Sequence, residues 1–245
     1  MNLDTKQKIW RYMDFGRFIS LLVNESLYFP CAMDFHDPFE GHLPISHAKA
    51  MKSITENVFG SLIQNMGTKA KGMNLPDYGS LHSHATDEVK KTTGISCWHM
   101  NDYESEAMWK LYADRGIAVE STIGQLQSSL PGDVNGNRIY VYNVRYEDFD
   151  LAEIEKGHQH YFLAIKRKSF EHEKELRASI TLPVDGQGLY VKCDLNTLIT
   201  KIHISPLAPE HLRADLEKLC KSLAKPLNIP VLRSALYDRP KLSGA

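Results

Sequence analysis

Apolar positions along this chain change period several times. Ile9 to Met13 is a strand-like run; Phe15, Phe18, Ile19, Leu22 and Val23 then recur at helical spacing, and Ser26 to Phe29 returns to strand before Pro30. Residues 31 to 46 hold two prolines, just after Pro30, and predict an ordered loop, followed by a helix from about His47 to Met66. Between Gly67 and Lys91 the pattern is polar, with Gly, Pro, Ser and His, and reads as a mobile excursion, a candidate lid or insertion. Thr93 to Trp98 predicts a strand, Glu104 to Ala113 a helix stopped by Gly116, Ile117 to Glu120 a strand, and Ile123 to Leu130 a short helix. Ile139 to Tyr146 alternates Tyr and Val as one strand with two dressed faces. Leu151, Ile154, His158, Tyr161, Phe162 and Ile165 mark a helix ending in Lys166-Arg167-Lys168, where the macrodipole favours cations. Strands at about 173 to 182, 188 to 194 and 199 to 204 follow, then a helix on Leu212, Leu216, Leu219 and Leu223, and a strand from Val231 to Leu236. With no repeat and no linker, the pattern predicts one α+β domain over residues 1 to 245, a mixed and largely antiparallel sheet with flanking helices.

Composition narrows the classes. Lys and Arg total 29 against 30 Asp and Glu, a formal charge of -1, so no global field draws the chain to nucleic acid or to an anionic membrane, and any such contact is a local patch. No apolar run approaches a membrane span and the first residues lack the apolar core of a signal peptide, which makes a cytoplasmic location the expectation. The 4 cysteines, Cys31, Cys97, Cys193 and Cys220, lack CxxC spacing and read as reduced, mostly buried thiols.

Three constellations carry chemistry. In Phe170-Glu171-His172-Glu173-Lys174-Glu175-Leu176-Arg177, an extended backbone would put Glu171, Glu173, Glu175 and Arg177 on one face, with neighbouring carboxylates about 6 to 7 Å apart. Carboxylates that close repel unless a cation such as Arg177 or Arg167 compensates; one acid then aligns a hydroxyl and the other stabilises positive charge. The structural alternative is a solvated, charged edge strand. The second stretch, Cys97 to Trp109, crosses from a strand end into a helix N-terminus, with Asp102 as N-cap and Glu104 and Glu106 in the first turn. Trp98, at the strand end, is its ligand candidate, whereas Trp109 and Tyr112 read first as core-facing and second as the wall of a pocket for a flat base. Third, Asp37 and Glu40 in Asp37-Pro38-Phe39-Glu40-Gly41 suit either a turn with capping acids or the orientation of a ribose or a metal. His82-x-His84 and His158-x-His160 lack partners at ligand spacing, so no metal is expected. The sequence contains no GxGxxG, Walker loop, HExxH or GxSxG.

Taken together, Asp37-Pro38-Phe39-Glu40-Gly41, Ser96-Cys97-Trp98, the stretch Glu104 to Tyr112, Gly116-Ile117-Ala118-Val119 and the stretch Lys166 to Arg177 resemble a bacterial family catalogued as a domain of unknown function, from about Trp10 to Leu236. A second, more distant resemblance is to mono-ADP-ribosyltransferases, which use a basic residue on the first strand, a middle Ser or aromatic position, and a late ExE. Here Arg11, then Ser96 or Ser121-Thr122, then Glu173-Lys174-Glu175 stand in that order, without a Ser-Thr-Ser triplet. That resemblance implies an ADP-ribosyltransferase-like fold and a transferase or glycohydrolase for which NAD is substrate, of the toxin or phage-defence kind. It implies that Glu175 stabilises an oxocarbenium-like transition state and Glu173 polarises the acceptor, a small nucleotide or a protein. Arg11 would hold the pyrophosphate, Trp98 or Tyr112 would stack the nicotinamide, and closure of the 67 to 91 segment would exclude water. Ser96, Asp37, Glu40, Arg167 and Arg177 complete the candidate substrate-binding set. Two alternatives stand beside it: a non-catalytic nucleotide- or protein-binding module in which Lys166-Arg167-Lys168 contacts phosphate, and a metal-dependent nuclease in which Asp37, Glu40, Glu173 and Glu175 converge on an ion.

Overall fold

The computed structural model describes residues 3–42, 78–150, 161–209, 211–223 and 225–239, together with isolated helical positions between 49 and 65. In chain order the strands are β1 (Lys8–Met13), β2 (Ser26–Phe29), β3 (Thr93–Met100), β4 (Ile117–Thr122), β5 (Asp133–Val134), β6 (Asn137–Arg138), β7 (Tyr140–Asn143), β8 (Arg145–Glu147), β9 (Ile165–Arg167), β10 (Glu175–Thr181), β11 (Leu189–Lys192), β12 (Lys201–Ile204) and β13 (Val231–Arg233). The helices are α1 (Phe15–Asn24), α2 (Tyr78–Lys91), α3 (Glu106–Tyr112), α4 (Ile123–Ser129), α5 (Leu195–Leu198) and α6 (Leu212–Ser222), with 3-10 turns at Ala32–Asp34, Tyr161–Ala164 and Lys168–Glu173.

A seven-stranded sheet, ordered β13-β12-β4-β1-β3-β10-β7, forms the centre, antiparallel throughout except for the parallel pair β12 and β13. The α+β class read from the pattern is the observed one. Alternation along β1 dresses both faces of the sheet: Ile9 and Met13 join the main core, while Trp10 and Tyr12 pack with Met108, Trp109, Ala113 and Ala118 under α3. The main core takes Phe18, Leu21 and Leu22 from α1, whose N-terminus Asp14 caps by accepting from the Arg17 amide at 2.8 Å. On the opposite face Ala32, Ile95 and Leu163 form a third cluster, with Phe35, Val89 and Cys97 against it.

Several boundaries differ from the pattern. Residues 78–91, read as part of an excursion, form α2; residues 67–77, the 151–160 segment with His158 and His160, and the side chain of His82 lie outside the described residues. The run Ile139 to Tyr146 is two strands in two sheets, β7 against β10 and β8 against β9, parted at Val144, whose amide donates to the Glu175 carbonyl at 2.9 Å. Alternation of Tyr and Val persists through such a break, so periodicity cannot locate it. Helix α3 is capped by Ser105, whose hydroxyl accepts from the Met108 amide, rather than by Asp102. All four cysteines are free, and three of them are buried.

Candidate functional site

Strands β1 and β3 run together only briefly. They pair at Ile9 with Met100 and Trp10 with His99, whereas β1 keeps register with β4 along its whole length. Beyond Trp10 they part, and Pro30 and Cys31 take up β3 instead: the Ile95 amide donates to the Pro30 carbonyl at 3.0 Å, and Cys31 bridges Gly94. The parting opens a cleft of about 660 Å³ lined by Arg11, Tyr28, His99, Tyr112, Glu173 and Glu175 among others.

One end of the cleft is acidic and built on a chain of ion pairs. Arg177, with no exposed surface, lies between two carboxylates: its terminal nitrogens meet Glu40 at 2.5 and 3.0 Å, and Nε and Nη2 meet Glu175 at 2.8 and 3.1 Å. Lys166 Nζ bridges Glu173 at 2.6 Å and Glu175 at 2.9 Å, and Tyr112 donates its hydroxyl to Glu173 at 3.0 Å. Three carboxyl groups thus share two basic side chains. Burial by itself would raise the Glu175 pKa, but Arg177 and Lys166 outweigh it and bring it down to about 2. Lys166 moves up because Glu175 and Glu173 overcome its desolvation, and burial, with Glu173 beside it, raises the Tyr112 hydroxyl.

Linkage fixes a sign. A Glu175 that titrates near 2 when folded and near the usual 4.5 when unfolded contributes stability above about pH 4.5 and loses it as the pH falls toward 2. Urea unfolding followed from pH 6 to pH 2 is expected to show this acid limb in the wild type and a shallower one in Glu175→Gln; equal slopes would refute the assignment.

The other end carries Arg11. Its guanidinium donates to Ser96 Oγ at 2.7 Å and to the Tyr28 carbonyl at 3.2 Å and lies 5.8 Å from the Trp98 ring centre, and among the described residues it has no carboxylate partner. Desolvation, only partly offset by the Cys97 and Cys193 thiols, lowers its pKa to about 10. A desolvated cation without a counter-ion favours an anionic guest.

No protein-family model, no curated protein and no solved structure matches the chain. Its own geometry is therefore the ground for any functional reading.

Arg11, Glu173 and Glu175 share the cleft, but not one face of the sheet. Register places Glu175 opposite His99 and Trp10, on the face of Tyr12, whereas Arg11 alternates with Trp10 and Tyr12 onto the face of Ile9 and Met13. The cleft reaches both because the strands part. The glutamates do not line one extended face either: Lys168–Glu173 is a 3-10 turn and Lys174 is left-handed at φ 42, so Glu173 arrives from a turn and Glu175 from a strand. Lys166 and Arg167 lie in β9 rather than at a helix terminus, and Lys166 is the bridging cation. Arg167 pairs with Asp37 at 3.0 Å and stacks over Phe39, away from the acidic pair.

Asp37 and Glu40 are thus held by arginines. Arg177 and Lys166 stand between the carboxylates that a nuclease metal would have to bridge, and among the described residues no group of three His, Cys, Asp or Glu could hold one. Trp98 lines the cleft but is 2% exposed, its indole donating to Ser96 Oγ at 3.2 Å; the strand runs on to Met100 and the ring packs with the main core, so it offers little surface for stacking. Tyr112, 48% exposed, is the available one. Ser96 holds Arg11, whereas Ser121 is buried in β4 with its hydroxyl turned to the Thr122 carbonyl. Two cleft residues were not among those the sequence placed beside the glutamates. Lys166 was legible as the first cation of Lys166-Arg167-Lys168 but was placed at a helix end, and His99 was legible only as a histidine inside a buried strand.

Proposed function

We propose that the cleft binds a phosphorylated glycosyl donor of the NAD type and cleaves its nicotinamide-ribose bond, in line with the resemblance to mono-ADP-ribosyltransferases and with the role that such enzymes have in toxins or phage defence. The observation that carries this reading is the polarity of the cleft: Arg11, without a carboxylate partner among the described residues, at one end, and Glu175 and Glu173 at the other. NAD has matching polarity, with a pyrophosphate for a guanidinium fork and a ribose carbon that turns cationic as its bond to nicotinamide breaks. With its pKa near 2, Glu175 cannot act as an acid at neutral pH; its role is a fixed negative charge beside the developing oxocarbenium ion. Tyr112 supplies the stacking surface. Departing nicotinamide takes the bonding electron pair onto its ring nitrogen and leaves neutral, which requires no acid.

One observation favours a second reading, a binding module for a phosphorylated ligand. Both oxygens of Glu175 and of Glu173 already accept from Arg177, Lys166 or Tyr112, as in a purely structural network. Nicotinamide release from NAD, followed with water, small nucleotides and proteins as acceptors, separates the two. Release by the wild type that falls about a hundredfold or more in Glu175→Gln, with ADP-ribose affinity retained, is the expected result. Binding of ADP-ribose without release would leave the binding module, and a fully active Glu175→Gln would remove that residue from catalysis.

A further inference from the structure

We propose that His99 is the general base of the cleft, accepting through Nε2 the proton of the hydroxyl or water that attacks the ribose; this rests on the glycosyl-transfer reading above. His99 lies on β3 with Trp10 and Glu175 as its register partners, lines the cleft, and is only 6% exposed. Its Nδ1 makes a short hydrogen bond with the Glu173 carbonyl. A carbonyl can only accept, so Nδ1 carries the proton and Nε2 keeps a lone pair. That Nε2 is buried and has no partner among the described residues. The oxygens of Glu173 and Glu175 beside it are all matched, and a buried acceptor left without a partner calls for a donor, which a guest in the cleft can supply.

The neighbours suit the role. Charged or titratable groups reach His99 from every side: His172, Glu173 and Lys174 from the turn, Glu175 from β10, and from β1 the Tyr12 ring, edge-on at 6.1 Å. Desolvation is the largest influence on the imidazole and lowers its pKa, so it is neutral and able to accept at pH 7. Glu173, to which the resemblance gave the acceptor, already binds Tyr112 and Lys166 through its two oxygens, whereas its backbone carbonyl orients the imidazole. In the step itself the acceptor oxygen bonds to the ribose carbon, the carbon-nitrogen bond breaks with its electron pair passing to nicotinamide, and the acceptor proton moves to Nε2. The imidazolium so formed lies beside the carboxyl groups of Glu173 and Glu175 and afterwards returns its proton to water.

Two measurements test this. Nitrogen NMR of the wild-type imidazole at pH 7 is expected to show Nδ1 protonated and Nε2 bare; the opposite tautomer overturns the proposal without touching the glycosyl-transfer reading. In His99→Asn the side-chain amide can still donate to the Glu173 carbonyl but nothing stands at Nε2. Nicotinamide release is expected to fall about 10² to 10⁴-fold, with the KM for NAD unchanged and the acid limb of the kcat profile lost. A variant that keeps rate and limb, or that loses ADP-ribose affinity in step with turnover, overturns the assignment while the wild-type activity stands. A wild type that releases no nicotinamide overturns both.

Discussion

Replacing Arg177 with methionine is expected to lower the unfolding free energy by about 3 to 5 kcal/mol, the scale found when one partner of a buried ion pair is removed. Glu40 is 1% exposed and Glu175 5% exposed, and together they take four hydrogen bonds from this one guanidinium, which also donates to the Leu163 carbonyl. Methionine fills much of the volume but strands both acids in an apolar setting near Phe35. Lys166 can still neutralise Glu175, at 2.9 Å, but no other described ion pair reaches Glu40. The physical cause is desolvation rather than lost attraction, so the triple change Arg177→Met, Glu40→Leu, Glu175→Leu should recover most of the loss. Urea unfolding at pH 7, with an unchanged m-value, measures it. A single-variant loss under about 1 kcal/mol would mean that water or a rearranged partner reaches the acids, contrary to the burial described here.

Arg11→Met should behave in the opposite way. Removing a desolvated cation that has no carboxylate partner among the described residues strands none of their charges, so stability is expected to stay level or rise. Binding should suffer instead. Charge-assisted hydrogen bonds from a guanidinium are worth about 1.5 to 3 kcal/mol, so affinity for ADP-ribose or inorganic pyrophosphate is expected to fall roughly 10 to 100-fold. Calorimetric titration of the wild type and the variant, beside a melting curve of each, gives both numbers. A destabilised Arg11→Met with undiminished anion binding would reassign Arg11 to the scaffold, tying β1 to Ser96 and Tyr28. The two arginines differ in role despite identical chemistry: one is enclosed by acids and the other faces a cleft.

Neither arginine's full set of partners could be read from its neighbours in sequence. Arg11 stands in an ordinary strand pattern, Ile9-Trp10-Arg11-Tyr12, and its lack of a carboxylate partner among the described residues follows from which segments flank β1. The pairing of Arg177 with Glu175 was legible as an i, i+2 relation on one strand face, and the structure keeps it. Glu40, at 137 positions' separation, was legible only as an acid in a turn. Trp98 illustrates the limit from the other side: the strand runs two residues past it, so a ring read as standing at a strand end lines the cleft with only 2% of its surface exposed.

Local periodicity determined what depends on near neighbours: the strand, helix, strand opening, the starts of β4 and α4, the α+β class, and the acidic and basic residue types available for a site. These follow from backbone geometry and side-chain burial over a few residues. Only the tertiary structure decided that β1 and β3 part after two pairs, that Lys166 lies between Glu173 and Glu175, and that His99 keeps an unmatched nitrogen beside the cleft. Those outcomes depend on which distant segments compete for the same strand edge or the same buried charge, and free energies of that kind are settled by the whole fold at once.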